Sequence, residues 1–191
     1  MAKDNLSNQG KDRQYTTENI EDVLKVQEKL KETKGYVKPP IPEGATKTKV
    51  TFTRDMALAL VFVYRFYKFH PQAKEGQYYP KKDLFAEMKQ NLGKEMTDKI
   101  TRSFMRLKYW DCLVPMPTSP DEVIYKKGWW GITDNGIKFI QKDIGLPKYA
   151  YVYDDFAYDH EIVPLMITDL VPEKELKAVS YTHLRAHETG Y

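Results

Sequence analysis

Two groups of side chains in this 191-residue chain have types and spacing that could do chemistry. The first is acidic and consists of Asp154, Asp155, Asp159, His160 and Glu161. Carboxylates and an imidazole could together hold a hard or borderline metal ion, as a nuclease would require. The preceding residues favour a simpler structure, because Tyr149, Tyr151 and Tyr153 alternate with smaller apolar residues as in a strand. We therefore expect Asp154 and Asp155 to form a turn between two strands, without a metal.

The second group is basic and repeats at a helical period. Its polar face consists of Lys99, Arg102, Ser103 and Arg106. The opposite face of the same predicted helix is apolar and consists of Ile100, Phe104 and Leu107. One side of this helix is therefore predicted to pack against the core, and the other side to be basic.

Charge is unevenly distributed along the chain. Residues 1–48 carry 9 Lys and Arg against 8 Asp and Glu, and residues 49–142 carry 17 against 10. Residues 143–191 carry 4 against 9. The middle segment is therefore strongly basic and the end is acidic, and we expect the basic segment to suit an anionic partner.

Other signs of catalysis are missing from the sequence. It contains no phosphate-binding loop, dinucleotide fingerprint or nucleophile motif, so we expect neither enzyme activity nor a cofactor. Cys112, the single cysteine, precedes Leu113 and Val114 and is predicted to be a small core residue. The first residues, Met1–Leu6, have no apolar stretch of the kind expected in a secretory leader, and the longest apolar stretch of the sequence is far below the roughly 20 residues of a membrane span. These features predict a cytoplasmic protein with no membrane partner.

The C-terminal tail is predicted to be foreign to the protein. Val179–Thr189 resembles, residue for residue, one translated frame of a transposase-type sequencing adapter. We therefore expect a metagenomic sequence whose natural frame is truncated at Lys177, with a non-native segment at 178–191. His183 and His187 have a spacing that would suit zinc on a helix, but they belong to this tail and are interpreted as an artefact.

The N-terminal 48 residues are predicted to be an extension of the domain that carries the basic face. Residues 1–15 are polar and should be disordered. A helix is expected from Thr16 to about Gly35, with a thin apolar stripe that could pair with another chain. The proline-rich segment 38–44 should be extended, because proline restricts both its own backbone and that of its predecessor.

Three helices are predicted to position the basic face. Thr53 can cap a central helix, Arg54–Phe69, that is apolar almost all round except for a narrow stripe of Arg54, Arg65 and Lys68. A second helix should begin near Pro80 and end at Gly93. After a four-residue turn, Thr97 should cap the third helix, which carries the basic face.

Two strands and a closing helix complete the predicted domain. Leu113–Met116 and Trp129–Ile132 have strand patterns, and a largely polar loop, 117–128, connects them. That loop contains Lys126 and Lys127. Thr133 should then cap a short helix that runs to Ile140.

This order of elements, together with the run Trp130-x-Ile132-Thr133-x-x-Gly136-x-x-Phe139, resembles winged helix-turn-helix domains from about Thr51 to Lys142. With Ile144–Tyr153, the chain resembles uncharacterised winged-helix proteins of phages and their bacterial hosts. The resemblance implies that the third helix enters the major groove and that the wing touches the backbone. Carried onto this chain, Lys99, Arg102, Ser103 and Arg106 would face DNA, with Lys126 and Lys127 on the wing. An arginine on such a helix can pair bidentately with guanine, whereas a lysine mostly meets phosphate and carries no sequence information. The resemblance therefore implies that Arg102 or Arg106 specifies the sequence and that the lysines hold the backbone.

The sequence therefore predicts an α+β, mainly α fold: a winged helix with an additional C-terminal β-hairpin and a flexible N-terminal extension. The expected segments are 1–48, 49–142, 143–177 and the tail 178–191. The expected function is binding of double-stranded DNA, with a regulatory role. The alternative is a non-catalytic module that binds a protein partner or a second copy through the winged helix and the tyrosine-rich hairpin.

Overall fold

The computed structural model of the chain describes residues 39–69, 78–117 and 125–178. They form an α+β fold in which helices pack with two small antiparallel sheets. The predicted disordered segment, the helix from Thr16 and residues 179–191 lie outside the described residues. The proline-rich segment is not extended throughout: the amide of Ala45 donates to the carbonyl of Pro42 at 3.1 Å, and Gly44 has a φ of 80°. Glycine adopts this φ freely and allows the turn.

Helix α1 (Arg54–Phe69) lies at the centre of the fold, as its sequence predicts. The hydroxyl of Thr53 accepts a hydrogen bond from the amide of Met56 at 3.4 Å, which confirms the predicted cap. Every residue from Met56 to Val63 is buried. The nearly continuous apolar sequence of α1 therefore reflects neighbours on all its sides.

A single residue joins helices α2 (Lys81–Leu92) and α3 (Lys94–Phe104). Gly93, at φ 77° and ψ 170°, ends α2 as predicted, in a conformation that is essentially restricted to glycine. The predicted four-residue turn and the cap at Thr97 are wrong. The three residues after Gly93 are good helix formers and already belong to α3. The Thr97 hydroxyl instead donates to the carbonyl of Gly93 at 2.7 Å from inside the helix.

After α3 the chain tightens into a 3₁₀ turn, Met105–Trp110, which the helical period did not predict. The predicted apolar face of this helical segment is confirmed, because Ile100, Phe104 and Leu107 are each 0% exposed. The ring of Phe104 packs edge-on against Phe85 and Trp130, with centroids 5.3 and 5.9 Å away. These contacts hold α3 against both α2 and the following sheet.

The first sheet contains β2 (Tyr78–Pro80), β3 (Leu113–Pro117) and β4 (Tyr125–Ile132) in the antiparallel order β2-β4-β3. The two predicted strands are confirmed. The predicted loop is too long at its C-terminal end, since β4 begins at Tyr125 rather than at Trp129. The sequence 125–128 has no apolar alternation, and the pairing of Tyr125 with Pro117 is what makes it a strand.

Helix α4 (Asp134–Ile140) closes this part of the fold as predicted. The hydroxyl of Thr133 accepts a hydrogen bond from the amide of Gly136 at 3.0 Å. Its own hydroxyl hydrogen is donated to the carbonyl of Asp111, and the Thr133 amide donates to the carbonyl of Cys112 at 3.1 Å. Thr133 therefore ties the end of β4, the start of α4 and the entry to β3 together. Cys112 is fully buried, as expected for a core residue.

The second sheet has the antiparallel order β1-β5-β6 and contains the predicted C-terminal hairpin. Its strands are β1 (Thr48–Thr51), β5 (Leu146–Tyr153) and β6 (Phe156–Leu165). Asp154 and Asp155, at φ 45° and 64°, make the turn between β5 and β6, so the turn interpretation is confirmed. Strand β1 was not predicted. The hairpin also contacts the 3₁₀ turn, where the indole Nε1 of Trp110 donates to the carbonyl of Pro147 at 2.6 Å.

The C-terminal described residues pack beside α1. They form the short helix α5 (Ile167–Leu170) and a helical run at 173–178. The guanidinium of Arg54 donates to the carbonyl of Leu170 at 2.9 Å and pairs with Glu175 at 2.5 Å. Arg65 is only 4% exposed, so the predicted polar stripe of α1 is wrong at this residue. The helical period places Arg65 on the same stripe as exposed Arg54, but tertiary packing at the C-terminal end of α1 buries Arg65.

Candidate nucleic-acid interface

Helix α3 presents two of the predicted cations to solvent. Arg102 is exposed and makes no ion pair with any described residue. Lys99 is also exposed, and its Nζ lies 3.1 Å from a carboxylate oxygen of Glu95 one helical turn earlier. Because both partners are well solvated, this pair adds little stability and leaves the lysine able to exchange partners. Ser103 is half-buried, so it contributes less to the exposed face than the helical period predicts.

Arg106 belongs to the 3₁₀ turn rather than to α3. It is exposed and lines a cavity of 570 Å³ that also contacts Tyr109, Asp155 and strand β1. The structure therefore places Arg106 beside the second sheet as well as beyond the end of α3. Its predicted exposure is correct, but the predicted continuous α-helical face from Lys99 to Arg106 is wrong.

The remaining predicted cations lie on β4. Lys126 and Lys127 are both exposed, and the Nζ of Lys126 lies 3.7 Å from the ring centroid of Trp129. Such a cation–π contact orients the lysine stem while leaving its charge near solvent. Lys127 has no charged partner in the part of the chain that the structure describes. β4 thus presents one lysine held against an aromatic ring and one lysine without a charged partner among the described residues.

Strong contacts hold the hairpin turn against the 3₁₀ turn. The carboxylate of Asp155 pairs with the ammonium of Lys108 and accepts a hydrogen bond from the hydroxyl of Tyr109 at 2.5 Å. Burial alone would raise the pKa of Asp155, but these two hydrogen bonds outweigh it and lower the pKa below its usual value. Burial and the bond to Asp155 raise the pKa of Tyr109. The second sheet is therefore fastened to the segment that follows α3.

The acidic group near the C-terminus does not assemble into a metal site. Asp155 binds Lys108 and Tyr109, whereas Glu161 pairs with Lys49 and accepts a hydrogen bond from the hydroxyl of Tyr151 at 3.0 Å. The ring Nε2 of His160 lies 2.7 Å from the carbonyl oxygen of Tyr109. Within residues 39–69, 78–117 and 125–178, no three His, Cys, Asp or Glu side chains cluster as metal ligands.

The tyrosines of β5 lie on the outer face of the second sheet. Ala150 and Val152 face the core, and the three tyrosines that alternate with them are half-buried. The Nζ of Lys49 lies 4.0 Å from the ring centroid of Tyr149 and pairs with Glu161 on β6. This face is an amphipathic surface of aromatic rings and paired charges, and two exposed apolar residues, Ile162 and Val163, lie on β6.

Sequence reasoning missed the contacts made by Lys108 and Lys49. Each pairs with an acid on the hairpin, at Asp155 and Glu161, and no local pattern signals pairings so distant in sequence. The acidic end of the chain thus neutralises part of the basic middle.

In comparisons with known proteins, the chain matches no protein-family model, no curated protein and no solved structure. None of its described helices is both long and apolar enough to cross a membrane.

Proposed function

We propose that this chain is a winged-helix protein that binds double-stranded DNA, with a regulatory role. The order α1-β2-α2-α3-β3-β4, with a sheet in the order β2-β4-β3, supports the winged-helix assignment. In such a domain α3 is the recognition helix and the loop between β3 and β4 is the wing. The single-residue connection at Gly93 is shorter than the turn that the resemblance implied.

The observation that carries the proposal is the division of α3 into a fully buried face and an exposed cationic face. Ile100 and Phe104 are each 0% exposed, while Arg102 is exposed and has no ion-pair partner among the described residues. An unpaired guanidinium on a rigid helix is a suitable donor for the two acceptors of guanine in the major groove. We assign the reading of bases to Arg102, supported by Arg106.

Phosphate contacts are assigned to the lysines. Lys99 can leave its solvated pair with Glu95, and Lys126 and Lys127 add charge on the wing strand. Such contacts fix the position of a protein on the duplex and supply affinity for any sequence. The protein would therefore bind DNA generally through its lysines and select a site through its arginines.

Two pairs of substitutions test this division. Arg102→Ala with Arg106→Ala should leave the fold intact, because exposed substitutions usually change stability little, and should abolish selection of a preferred duplex. Lys126→Ala with Lys127→Ala should weaken binding to all duplexes alike and reduce the salt slope by about one unit for each lost phosphate contact. Binding of fluorescent duplexes at several salt concentrations, after selection of a preferred site from a random pool, measures both effects.

Lys68→Ala with Lys174→Ala is the matched control, because it removes the same charge from exposed lysines outside these surfaces. It should leave the preference for the selected duplex and the salt slope close to those of the wild type. If the control weakens binding as much as the other two pairs do, binding follows total charge and the assigned roles are wrong.

A second candidate function is docking of a protein on the β5-β6 hairpin. The observation that favours it is the exposure of apolar Ile162 and Val163, 44% and 38%, on β6, the strand that pairs with the tyrosine-bearing β5. Tyrosine-rich surfaces supply rigid contact area in protein interfaces. Complex formation that tolerates high salt and is lost in Ile162→Lys, while DNA binding is absent, would favour this function.

A further inference from the structure

Helix α3, which the structure describes in full, carries one exposed large apolar side chain, Met96. Its exposed fraction is 41%, whereas Ile100 and Phe104 on the same helix are each 0% exposed. Met96 and Arg102 lie three residues before and three residues after Lys99, so each is within about 60° of Lys99 around the helix axis. The thioether of Met96 therefore lies on the same exposed face as the two cations.

Charge is unevenly distributed along this face. Residues 94–99 carry two lysines and two acids, and Lys99 pairs with Glu95 at 3.1 Å. Residues 100–106 carry Arg102 and Arg106 and no acid. The turn that contains Met96 therefore has no net charge with which to attract a phosphate, and an uncharged group of the duplex is its better partner.

The major groove displays an apolar group of this kind beside its hydrogen-bond donors and acceptors. It is the C5-methyl group of thymine, which apolar side chains contact in direct readout. A recognition helix contacts base edges with its N-terminal residues, and Met96 is the third residue of α3. Methionine is unbranched and polarizable, so its side chain adapts to the position of a methyl group.

We propose that Met96 contacts the C5-methyl group of a thymine and thereby adds a preference for thymine to the sequence selected by Arg102. The inference rests on the proposed function, because it requires α3 to lie in the major groove. The six residues from Met96 to Arg102 span about 9 Å along the helix axis, or roughly two to three base steps of about 3.4 Å. The preferred duplex should therefore carry this thymine roughly two to three base pairs from the guanine that Arg102 reads.

The probe is the duplex selected from a random pool, in which each thymine in turn is replaced by deoxyuridine. Uracil differs from thymine only by the missing methyl group, so this change leaves base pairing and charge intact. At one position the affinity of the full wild-type chain should fall about fourfold, which corresponds to the burial of one methyl group. Met96→Gln should bind the thymine and uracil duplexes equally, and it should keep the wild-type salt slope because no charge changes.

Met105→Gln is the matched control. Met105 is 37% exposed and follows Met96 by nine residues, about two and a half helical turns, so it lies on the other side of the helical segment. This variant should discriminate thymine from uracil as the wild type does.

Three results would overturn the inference. If the wild type binds duplexes but tolerates uracil at every position, the methyl contact is refuted while the proposed function stands. If discrimination persists in Met96→Gln, another residue contacts the methyl group. If the folded chain binds no duplex at low salt, the proposed function fails and this inference fails with it.

Discussion

Replacing Gly136 by alanine tests how α4 is joined to the core. Gly136 lies in the first turn of α4, and its amide donates to the hydroxyl of Thr133. A Cβ atom built on Gly136 would lie 2.6 Å from the carbonyl oxygen of Cys112, 2.9 Å from Cγ1 of Ile132 and 3.3 Å from Cδ1 of Leu60. The closest of these neighbours is backbone, so a change of rotamer cannot relieve the contact.

Two opposing effects determine how much Gly136→Ala changes the free energy of unfolding. Alanine is favoured over glycine in a helix by about 1 kcal/mol. An added carbon in a filled core typically costs 1–3 kcal/mol, and we expect a cost near the upper value because the Cys112 carbonyl also accepts the amide of Thr133 at 3.1 Å. The net loss of unfolding free energy should be about 2 kcal/mol, which corresponds to a fall in melting temperature of roughly 4–8 °C for a chain of this size.

Thermal and chemical unfolding, followed by circular dichroism, measure this loss. Lys138→Ala is the matched control, because it also introduces alanine into α4 but at an exposed position, and it should change stability by no more than about 0.5 kcal/mol. If Gly136→Ala were as stable as the wild type or more stable, helix propensity would outweigh the contact, and the close packing of α4 against the β3 entry would be refuted.

Three further changes test other parts of the fold. Asp155→Asn should reduce the loss of stability on acidification. The pKa of Asp155 is lowered in the folded state, so its contribution to the free energy of unfolding is present above the unfolded pKa of about 3.9 and is lost as the pH falls through the lowered value. Denaturant titrations between pH 6 and 2 measure this effect, and an unchanged acid sensitivity in the variant would contradict it. Tyr79→Phe should not lower the melting temperature, because the Tyr79 hydroxyl is buried without an acceptor among the described residues, and a loss above 1 kcal/mol would indicate a hydrogen bond there. Deleting Val179–Tyr191, the segment that resembles adapter sequence, should leave the melting temperature unchanged, whereas a lower value would show that this tail stabilises the fold.

The predictable parts of the fold are those with local signals. Thr53 and Thr133 cap α1 and α4 through their hydroxyls, and Gly93 ends α2. The hairpin turn at Asp154 and Asp155 follows from alternating tyrosines and two residues that tolerate positive φ. Each of these elements is defined by residues close to it in sequence, so the residue pattern and the capping residues were sufficient to predict it.

The parts that escaped prediction depend on distant contacts. Strand β1 has a polar sequence and exists because it pairs with β5, as Thr51 opposite Tyr149 illustrates. Arg65 is buried although the helical period places it on the same stripe as exposed Arg54 and Lys68, and no local pattern signals that burial. The 3₁₀ turn displaces Arg106 from a continuous α-helical face, although its charge and exposure were predicted correctly. Helical periodicity identifies which residues share a face, but it does not detect where the helix tightens.

The most direct test of the central claim is the salt dependence of duplex binding by the wild-type chain. If Lys99, Lys126 and Lys127 contact phosphates, the logarithm of the association constant should fall linearly with the logarithm of salt concentration, with a slope of about −3 or steeper. Such a slope, with tighter binding to one selected duplex than to random duplexes, is the expected result. A folded chain with no measurable affinity for any duplex at low salt would contradict the proposal that it binds DNA.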